Sequence, residues 1–397
     1  MRISIIPSNS KLLNNNIFLA KMHRDDCFSY IRSFKEKAEK RGWEVGTFDI
    51  IEIDNADKVM IFGLHFAKEI IEAIGKVGIE NMIAVFQEPP DVEPLFYDKD
   101  IHSCFGCVLL PDNTWDVAER IFYHGFPVSG YIPDWVTFEK RKMLVSISSW
   151  KTTEFPGGLY AERIRAIKYF QRFMGNQFDI YGQGWVKKTI IPFLSPHRWF
   201  NNYRGPCASK IDTMRNYKFS ICYENSNYIK GYITEKLFDS FQAGCVPIYL
   251  GAPDVTDYIP NECFIDRRSF KSHEELAAYI MSIDKNRFER YLVAINKYIE
   301  SSSYKNRLPS NFATYLIGLV DKKSPKIFPS VSKKGLNKLI VIRSLNQIKN
   351  SKLSERLIGF ISYVRYGDIK GFAKTINNII EKVVIKIGLD TLRVRKY

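Results

Sequence analysis

Residues 217–270 read YKFSICYENSNYIKGYITEKLFDSFQAGCVPIYLGAPDVTDYIPNECFIDRRSF. The apolar run 219–223 is typical of a buried strand, and three polar residues follow it directly. Thr234 is a favourable N-cap, so we predict a helix over 234–243 and another strand over 246–250. A strand, a helix and a strand in this order predict parallel strands covered by the helix.

The same alternation of strands and helices extends in both directions from this stretch. We predict strands at 2–6, 45–53, 58–62, 82–86, 107–110, 127–131, 143–148 and 178–181, and helices at 27–41, 66–74, 115–122, 159–173 and 274–283. This pattern predicts an α/β fold in which two Rossmann-like domains, 1–138 and 139–330, face a central cleft. The remaining residues, 331–397, form a basic tail.

The basic charge of the chain is concentrated in that tail. The chain has 58 Lys and Arg against 43 Asp and Glu, a formal net charge of +15, and the tail holds fifteen of the basic and four of the acidic residues. A nucleic-acid binder would spread its charge over the folded domains, so we expect no nucleic-acid partner. Apolar residues recur at helical spacing over 372–387. Such a helix either packs on protein or lies on an anionic membrane surface, and both interpretations stay open.

Cysteine usage and hydropathy indicate a reducing compartment. The seven cysteines are odd in number and scattered, which does not predict a disulfide framework. The sequence contains no apolar run of the roughly 18 residues expected of a membrane-spanning helix. We therefore expect a cytoplasmic protein that is peripheral to the inner face of the cell membrane.

The helix start at Thr234 is a candidate anion-binding site. A helix N-terminus presents free N–H groups and a positive dipole, and Lys236 adds a cation in the first turn. Glu235 in the same turn is explained either by the helix dipole or by hydrogen bonds accepted from sugar hydroxyls. An ordinary capped helix would also account for these residues if they stood alone.

Four motifs follow one another in order along the same stretch. They are Tyr-Glu-Asn-Ser at 223–226, Tyr-Ile-Thr-Glu-Lys at 232–236, Ala-Gly-Cys-Val-Pro-Ile-Tyr-Leu-Gly-Ala-Pro at 243–253 and Phe-Ile-Asp-Arg-Arg-Ser-Phe at 264–270. This order resembles the α1,3/α1,4-fucosyltransferases of glycosyltransferase family 10. The resemblance implies a GT-B pair of domains, the donor GDP-β-L-fucose bound by the C-terminal domain, and inversion at the anomeric carbon.

The resemblance also implies roles for individual residues. Lys236 is similar to the residue that grips the donor diphosphate, and Glu235 to the one that holds fucose or stabilises its developing positive charge. Asn225 and Tyr232 match positions that contact the nucleotide or the sugar. The family has an Arg that pairs with the diphosphate on the first helix of this domain, where Arg163 and Arg165 fall here, and the alignment favours Arg163.

The predicted general base lies in the first half of the chain. Glu88 follows a predicted strand and precedes two prolines, which resembles the family's proposed base. An inverting displacement needs a base that takes the proton of the acceptor hydroxyl. Asp91 and Glu93 are alternatives. The predicted catalytic residues are therefore Glu88, Glu235 and Lys236, and the predicted donor-binding residues are Arg163, Arg165, Glu224, Asn225, Tyr232, Thr234, Glu235, Lys236 and Gly251.

The resemblance implies no cofactor beyond the donor and no metal. The Asp-x-Asp spelling at 98–100 is short, and it lies outside the predicted donor domain. The expected acceptor is a GlcNAc-containing glycan of a cell-surface polysaccharide or lipopolysaccharide. We expect the fucose to be attached to it by an α1,3 linkage. Two alternatives stay open: an enzyme of the same fold that uses another nucleotide sugar, and a non-enzymatic protein that binds nucleic acid or membrane through the tail.

Overall fold

The computed structural model describes residues 1–20, 24–112, 136–151, 157–185, 200–321 and 331–347. The chain divides into Met1–Arg343 and Ser344–Tyr397, and nearly all of the second part lies outside the described residues. The predictions of a helix at 115–122, a strand at 127–131 and an apolar stripe at 372–387 also concern residues outside these ranges.

The first half of the chain forms a five-stranded parallel sheet. Its strands are β1 (Arg2–Ile6), β2 (Glu44–Thr47), β3 (Lys58–Ile61), β4 (Met82–Val85) and β5 (Cys107–Leu109), in the order β2-β1-β3-β4-β5. Its helices are α1 (Ser29–Glu39), α2 (Ala67–Lys76) and the short α3 (Lys99–His102). Every residue of β3 and β4 is buried, as expected where a parallel sheet is covered on both faces.

The second half forms another five-stranded parallel sheet. Its strands are β6 (Lys142–Ile147), β7 (Phe178–Tyr181), β8 (Tyr217–Tyr223), β9 (Val246–Leu250) and β10 (Ile265–Asp266), in the order β10-β9-β8-β6-β7. Its helices are α4 (Tyr160–Met174), α5 (Lys210–Met214), α6 (Glu235–Gln242), α7 (His273–Met281), α8 (Lys285–Glu300) and α9 (Ser302–Lys305). The predicted pair of Rossmann-like sheets is confirmed.

Both sheets reverse their strand order next to their first strand. In the second sheet, β8 lies on one side of β6 and β7 on the other. Doubly wound sheets bind ligands beyond the carboxyl ends of the strands at such a reversal. The topology therefore favours a ligand site at the residues that follow β6 and β8.

The last described helices return to the first sheet. On α10 (Pro309–Asp321), Phe312, Leu316 and Ile317 are buried in the hydrophobic core of the first sheet. The ring centroid of Phe312 lies 5.2 Å from that of Tyr30 on α1. The next helix, α11 (Lys333–Gln347), buries Leu339 in the same core. The domain limits 139–330 and 331–397 stay a prediction. α10 falls within the predicted second domain, but it packs on the sheet of the first half of the chain.

Within the described ranges, none of the helices combines the length and the apolar character that a membrane crossing requires.

Candidate active site

A buried carboxylate organises the end of β8. Glu224 is fully buried, and it accepts hydrogen bonds of 2.7 Å from both the backbone N–H and the hydroxyl of Thr234. The ammonium of Lys236 donates a third bond of 3.1 Å to the same carboxylate. Glu224 therefore anchors the start of α6, and its predicted donor-binding role stays a prediction.

Lys236 is the cation at this helix start. Its Nζ lies 3.0 Å from the Thr234 hydroxyl, and the side chain keeps 25% of its exposure. Burial alone would lower the pKa of Lys236, but the carboxylates of Glu224 and Glu235 raise it above its ordinary value. The ammonium therefore stays charged at neutral pH, as a diphosphate-binding group must.

Glu235 is the first residue of α6, where a carboxylate favours the helix dipole. Burial would raise the pKa of Glu235, but the ammonium groups of Lys236 and Lys210 lower it well below its ordinary value. The helix itself is held by Leu237, Phe238 and other buried side chains on its inner face. Glu235 is thus an ionised carboxylate on a rigid element.

The two predicted arginines on α4 have different surroundings. Arg163 is buried, and its Nη2 donates hydrogen bonds of 2.6 and 2.9 Å to the carbonyl oxygens of Tyr223 and Glu224. Arg165 keeps 66% of its side-chain exposure and pairs with Glu162 at 2.7 Å. The structure therefore brings Arg163 to the end of β8 but does not bring Arg165 there.

Three further predicted residues form the wall beside Glu224. The side-chain amide of Asn225 donates to the Tyr232 hydroxyl at 3.4 Å, and the ring of Tyr232 is buried. Gly251 follows β9, and a Cβ at that position would lie 2.4 Å from Glu224 Cγ and 2.4 Å from the Tyr249 hydroxyl. Gly251 is therefore required by close packing over Glu224.

Glu88, from the first sheet, lies in the electrostatic field of Lys236 from the second. It lies three residues beyond β4, and the charges of Lys236, Lys151 and Glu235 act on its titration. Burial raises the pKa of Glu88, and the two lysines oppose that rise. The carboxylate from the first sheet and the ammonium from the second therefore share one electrostatic environment.

Several neighbours of this site are not part of the sequence prediction. The Tyr160 hydroxyl lies in the electrostatic field of Arg163, Glu88 and Lys236, and burial raises its pKa. Lys210, on α5, lies 3.4 Å from Glu235. No motif surrounds Lys210, and it is distant from Glu235 in sequence. The sequence did contain one signal for a nearby cation: Asp239 lies one turn after Glu235. Two acids on one buried helix face are stable only when a positive charge lies close to them.

The Asp-x-Asp spelling has a structural explanation. Asp98 caps α3 by accepting the N–H groups of Asp100 and Ile101. The ammonium of Lys338 on α11 lies 2.9 Å from both Asp98 oxygens and 2.5 Å from Asp100. Across the described ranges, no cluster of three or more His, Cys, Asp or Glu side chains has the arrangement of a metal site.

Comparison with known families identifies the second sheet. Residues 137–322 match the family described as "Glycosyltransferase family 10 (fucosyltransferase) C-term". This match defines a glycosyltransferase domain that contains β6–β10 and the Glu224–Lys236 cluster. Over this segment, the resemblance to glycosyltransferase family 10 drawn from the motifs is confirmed.

Named relatives match a short part of the chain. An "Alpha-(1,4)-fucosyltransferase" of Arabidopsis thaliana is 41% identical over 83 residues, 21% of this chain and 19% of that protein. A "4-galactosyl-N-acetylglucosaminide 3-alpha-L-fucosyltransferase 9" of Mus musculus is 45% identical over 78 residues, 19% of this chain and 21% of that protein. The chain thus spans about a fifth of the length of these curated relatives.

Solved structures resemble the chain over a longer part of its length. An alpha1,3-fucosyltransferase is 13% identical with a TM-score of 0.47, covering 84% of this chain and 92% of that one. An alpha1,3-fucosyltransferase with GDP-fucose has a TM-score of 0.46, 13% identity, and coverage of 82% of this chain and 92% of that one. A DNA-modifying beta-glucosyltransferase has a TM-score of 0.47, 12% identity, and coverage of 81% and 100%.

Proposed function

We propose that the protein is an inverting fucosyltransferase that moves L-fucose from GDP-β-L-fucose to a GlcNAc-containing glycan. The observation that carries the proposal is the opposition of Glu88 and Lys236. The carboxylate comes from the first sheet and the ammonium from the second, and the charge of Lys236 acts directly on the titration of Glu88. A base close to a cationic diphosphate site is what an in-line displacement requires.

The donor diphosphate binds at the start of α6 in this proposal. Lys236 offers an ammonium beside the N–H groups of the first helical turn, and Arg163 approaches from α4. Arg163 uses Nη2 for the carbonyls at the end of β8, while Nε and Nη1 carry further N–H donors for phosphate oxygens. These cations stabilise the charge that grows on GDP as the glycosidic bond breaks.

Glu235 and Glu88 act on the two reacting partners. The ionised Glu235 carboxylate stabilises the oxocarbenium-like charge on the fucosyl ring, or holds the ring by its hydroxyls. Glu88 accepts the proton of the acceptor hydroxyl as that oxygen attacks the anomeric carbon. Burial raises the pKa of Glu88 towards the range in which a carboxylate is both ionised and an effective base.

The leaving diphosphate requires no metal in this proposal, because Lys236 and Arg163 already neutralise it. Transfer should persist in excess EDTA. Loss of transfer in EDTA, with recovery on adding a divalent cation and with the fold intact by circular dichroism, would contradict this part of the proposal.

The donor and acceptor are tested by one panel. The purified chain is incubated with GDP-fucose or GDP-mannose and with N-acetyllactosamine, lacto-N-biose or lipopolysaccharide oligosaccharides. We expect an α1,3-fucoside on the GlcNAc of N-acetyllactosamine, since the mouse relative is named for a 3-fucosyl transfer. Transfer from GDP-mannose alone would instead favour an enzyme of the same fold with another donor, and an α-linked product from the β-linked donor establishes inversion.

The tail supports a further part of the proposal, which is attachment to the inner face of an anionic membrane. Residues 331–397 hold fifteen basic and four acidic residues. Lys338 and Leu339 of α11 bind and pack on the first sheet, so the matched truncation removes residues 348–397. We expect the full chain to sediment with phosphatidylglycerol vesicles and to be released by salt. Equal sedimentation of the truncated chain would contradict the membrane role.

A further inference from the structure

One buried ammonium lies between two carboxylates of α6. Lys210 Nζ is 2.7 Å from Asp239 Oδ2 and 3.4 Å from Glu235 Oε1. Glu235 and Asp239 are four residues apart and therefore share one face of the helix. Lys210 keeps only 16% of its side-chain exposure, so its attraction to the two carboxylates is weakly screened by water.

The backbone that carries Lys210 is fixed from both sheets. Ser209 caps α5 by accepting the N–H of Asp212 at 3.1 Å. The N–H of Lys210 itself donates at 3.0 Å to the carboxylate of Asp25, which lies in the segment before α1 of the first sheet. The ammonium is thus held at Glu235 by a short helix whose start is bound by a residue of the other sheet.

The charges around Glu235 come from every element that faces it. The cations are Lys236 on the same helix and Lys210 on α5. Asp239 on the same helix, Glu88 from the loop after β4 and the Cys27 thiol from the segment before α1 are the titratable acids in its field. Burial raises the pKa of Asp239 to about 6, against the opposing charge of Lys210.

Donor binding changes this balance. In the proposed function, Lys236 turns its charge to the diphosphate, which neutralises much of its effect on Glu235. Lys210 does not bind the diphosphate in this proposal, because both of its described ion pairs are with carboxylates of α6. It is the cation that still faces Glu235 when the donor is in place.

We propose that Lys210 is a positioning residue for Glu235, and that its ammonium holds the Glu235 carboxylate in place against the fucosyl ring once the diphosphate has engaged Lys236. The inference rests on the proposed function and adds to it a residue that acts through Glu235 without touching the donor. Asp239 holds Lys210 at the distance from which it reaches Glu235.

The test is the kcat and the KM for GDP-fucose of fucose transfer in Lys210→Met, Lys210→Arg and Lys142→Met. Lys142 is the matched control, since its Nζ also lies 2.7 Å from a buried carboxylate, that of Asp179, but at the far end of the second sheet's strands. Lys210→Met should lower kcat about tenfold at neutral pH and leave the KM for GDP-fucose near the wild-type value, because the Glu235 carboxylate is no longer held against the ring while the diphosphate site is untouched. Lys210→Arg should restore most of the lost kcat.

A purely structural role would have a different result. In that case Lys210→Met and Lys142→Met would both lower the melting temperature and the folded Lys210→Met would keep the wild-type kcat, which would overturn the proposal. If Lys210→Met does not fold, Lys210→Met/Asp239→Asn removes the unpaired buried charge. The proposal requires this double variant to keep the low kcat with a near-normal KM for GDP-fucose, and a wild-type kcat would refute it.

Failure of the proposed function is distinguishable from failure of this inference. If the wild-type chain transfers no fucose from GDP-fucose, the proposed function fails. If the wild type is active and Lys210→Met has the wild-type kcat, only the role of Lys210 fails.

Discussion

The hydroxyl of Tyr228, in the loop between β8 and α6, donates a hydrogen bond of 3.2 Å to Asp91, which lies three residues after Glu88. The contact joins the loop that carries the proposed base to the loop that leads into the proposed donor site. Pro89 and Pro90 restrict the backbone between Glu88 and Asp91. The position of the base is therefore coupled to the second sheet.

Loss of this contact should reduce transfer without unfolding the protein. We predict that Tyr228→Phe lowers kcat/KM about 2- to 10-fold, which corresponds to one hydrogen bond of about 0.5–1.5 kcal/mol. The matched control is Tyr279→Phe, which removes a hydroxyl pair of 2.8 Å with Tyr291 on α7 and α8. Steady-state kinetics on both variants provide the measurement, and equal losses would argue against the coupling.

The same carboxylate makes stability depend on pH. Burial raises the pKa of Asp91 to about 6, and the hydrogen bond from Tyr228 opposes that rise. Between about pH 4 and the folded-state value, the folded chain holds a proton that the unfolded chain has lost. The free energy of unfolding of the wild type, relative to Asp91→Asn, should therefore fall as pH rises through this window and stay level above it.

Urea unfolding of both proteins from pH 4 to 8 measures this difference. A difference that is constant with pH, or that grows in favour of the wild type as pH rises, would contradict the buried state of Asp91.

Arg163 and Arg165 offer an internal comparison on one helix. Arg163→Ala should lower turnover by on the order of 10²-fold or more, because a charge-stabilising donor is lost. Arg165→Ala should leave turnover near normal, since an exposed ion pair is worth about 0–1 kcal/mol. Arg163→Lys keeps the charge but cannot reproduce the two carbonyl contacts, and it should fall between these results. A comparable loss in Arg165→Ala would reverse the assignment.

Gly251 should tolerate no side chain. A Cβ there would lie 2.4 Å from Glu224 Cγ, so we predict that Gly251→Ala destabilises the protein by about 1–3 kcal/mol and weakens GDP binding. Gly318 in α10 is the control, because a Cβ there meets no atom within 4 Å. Gly318→Ala should stabilise the helix slightly. Unfolding and GDP titration of both variants provide the measurement, and a stable Gly251→Ala with normal GDP affinity would contradict the packing.

Local patterns predicted most of the fold. The run 82–86 became β4 (Met82–Val85), and the predicted strand 246–250 matches β9 (Val246–Leu250), because buried parallel strands are continuously apolar. The prediction contains no helix at α8 or α10. α10 is stabilised by contacts with α1, such as that between Phe312 and Tyr30, which lie far apart in sequence and leave no periodic signal between them.

The candidate site was predictable where a motif carried it. Glu224 and Lys236 lie in adjacent motifs, and the fold brings them to 3.1 Å. The motifs did not indicate that Glu224 is a buried anchor or that Gly251 packs against it, because such roles depend on distances between strands. The sequence did not predict a role for Lys210 for the same reason, because its partners on α6 are near it only after α5 and α6 have packed on the sheet.

The central claim is that Lys236 binds the diphosphate and Glu88 acts as the base. It is tested most directly by titrating GDP into the wild type, Lys236→Ala and Glu88→Gln by calorimetry. Fucose transfer is measured on the same preparations. Lys236→Ala should bind GDP at least about tenfold more weakly, whereas Glu88→Gln should bind GDP as the wild type does. Both should lose transfer by on the order of 10²-fold or more. Unchanged GDP affinity in Lys236→Ala, or near-normal transfer in Glu88→Gln, would contradict the account.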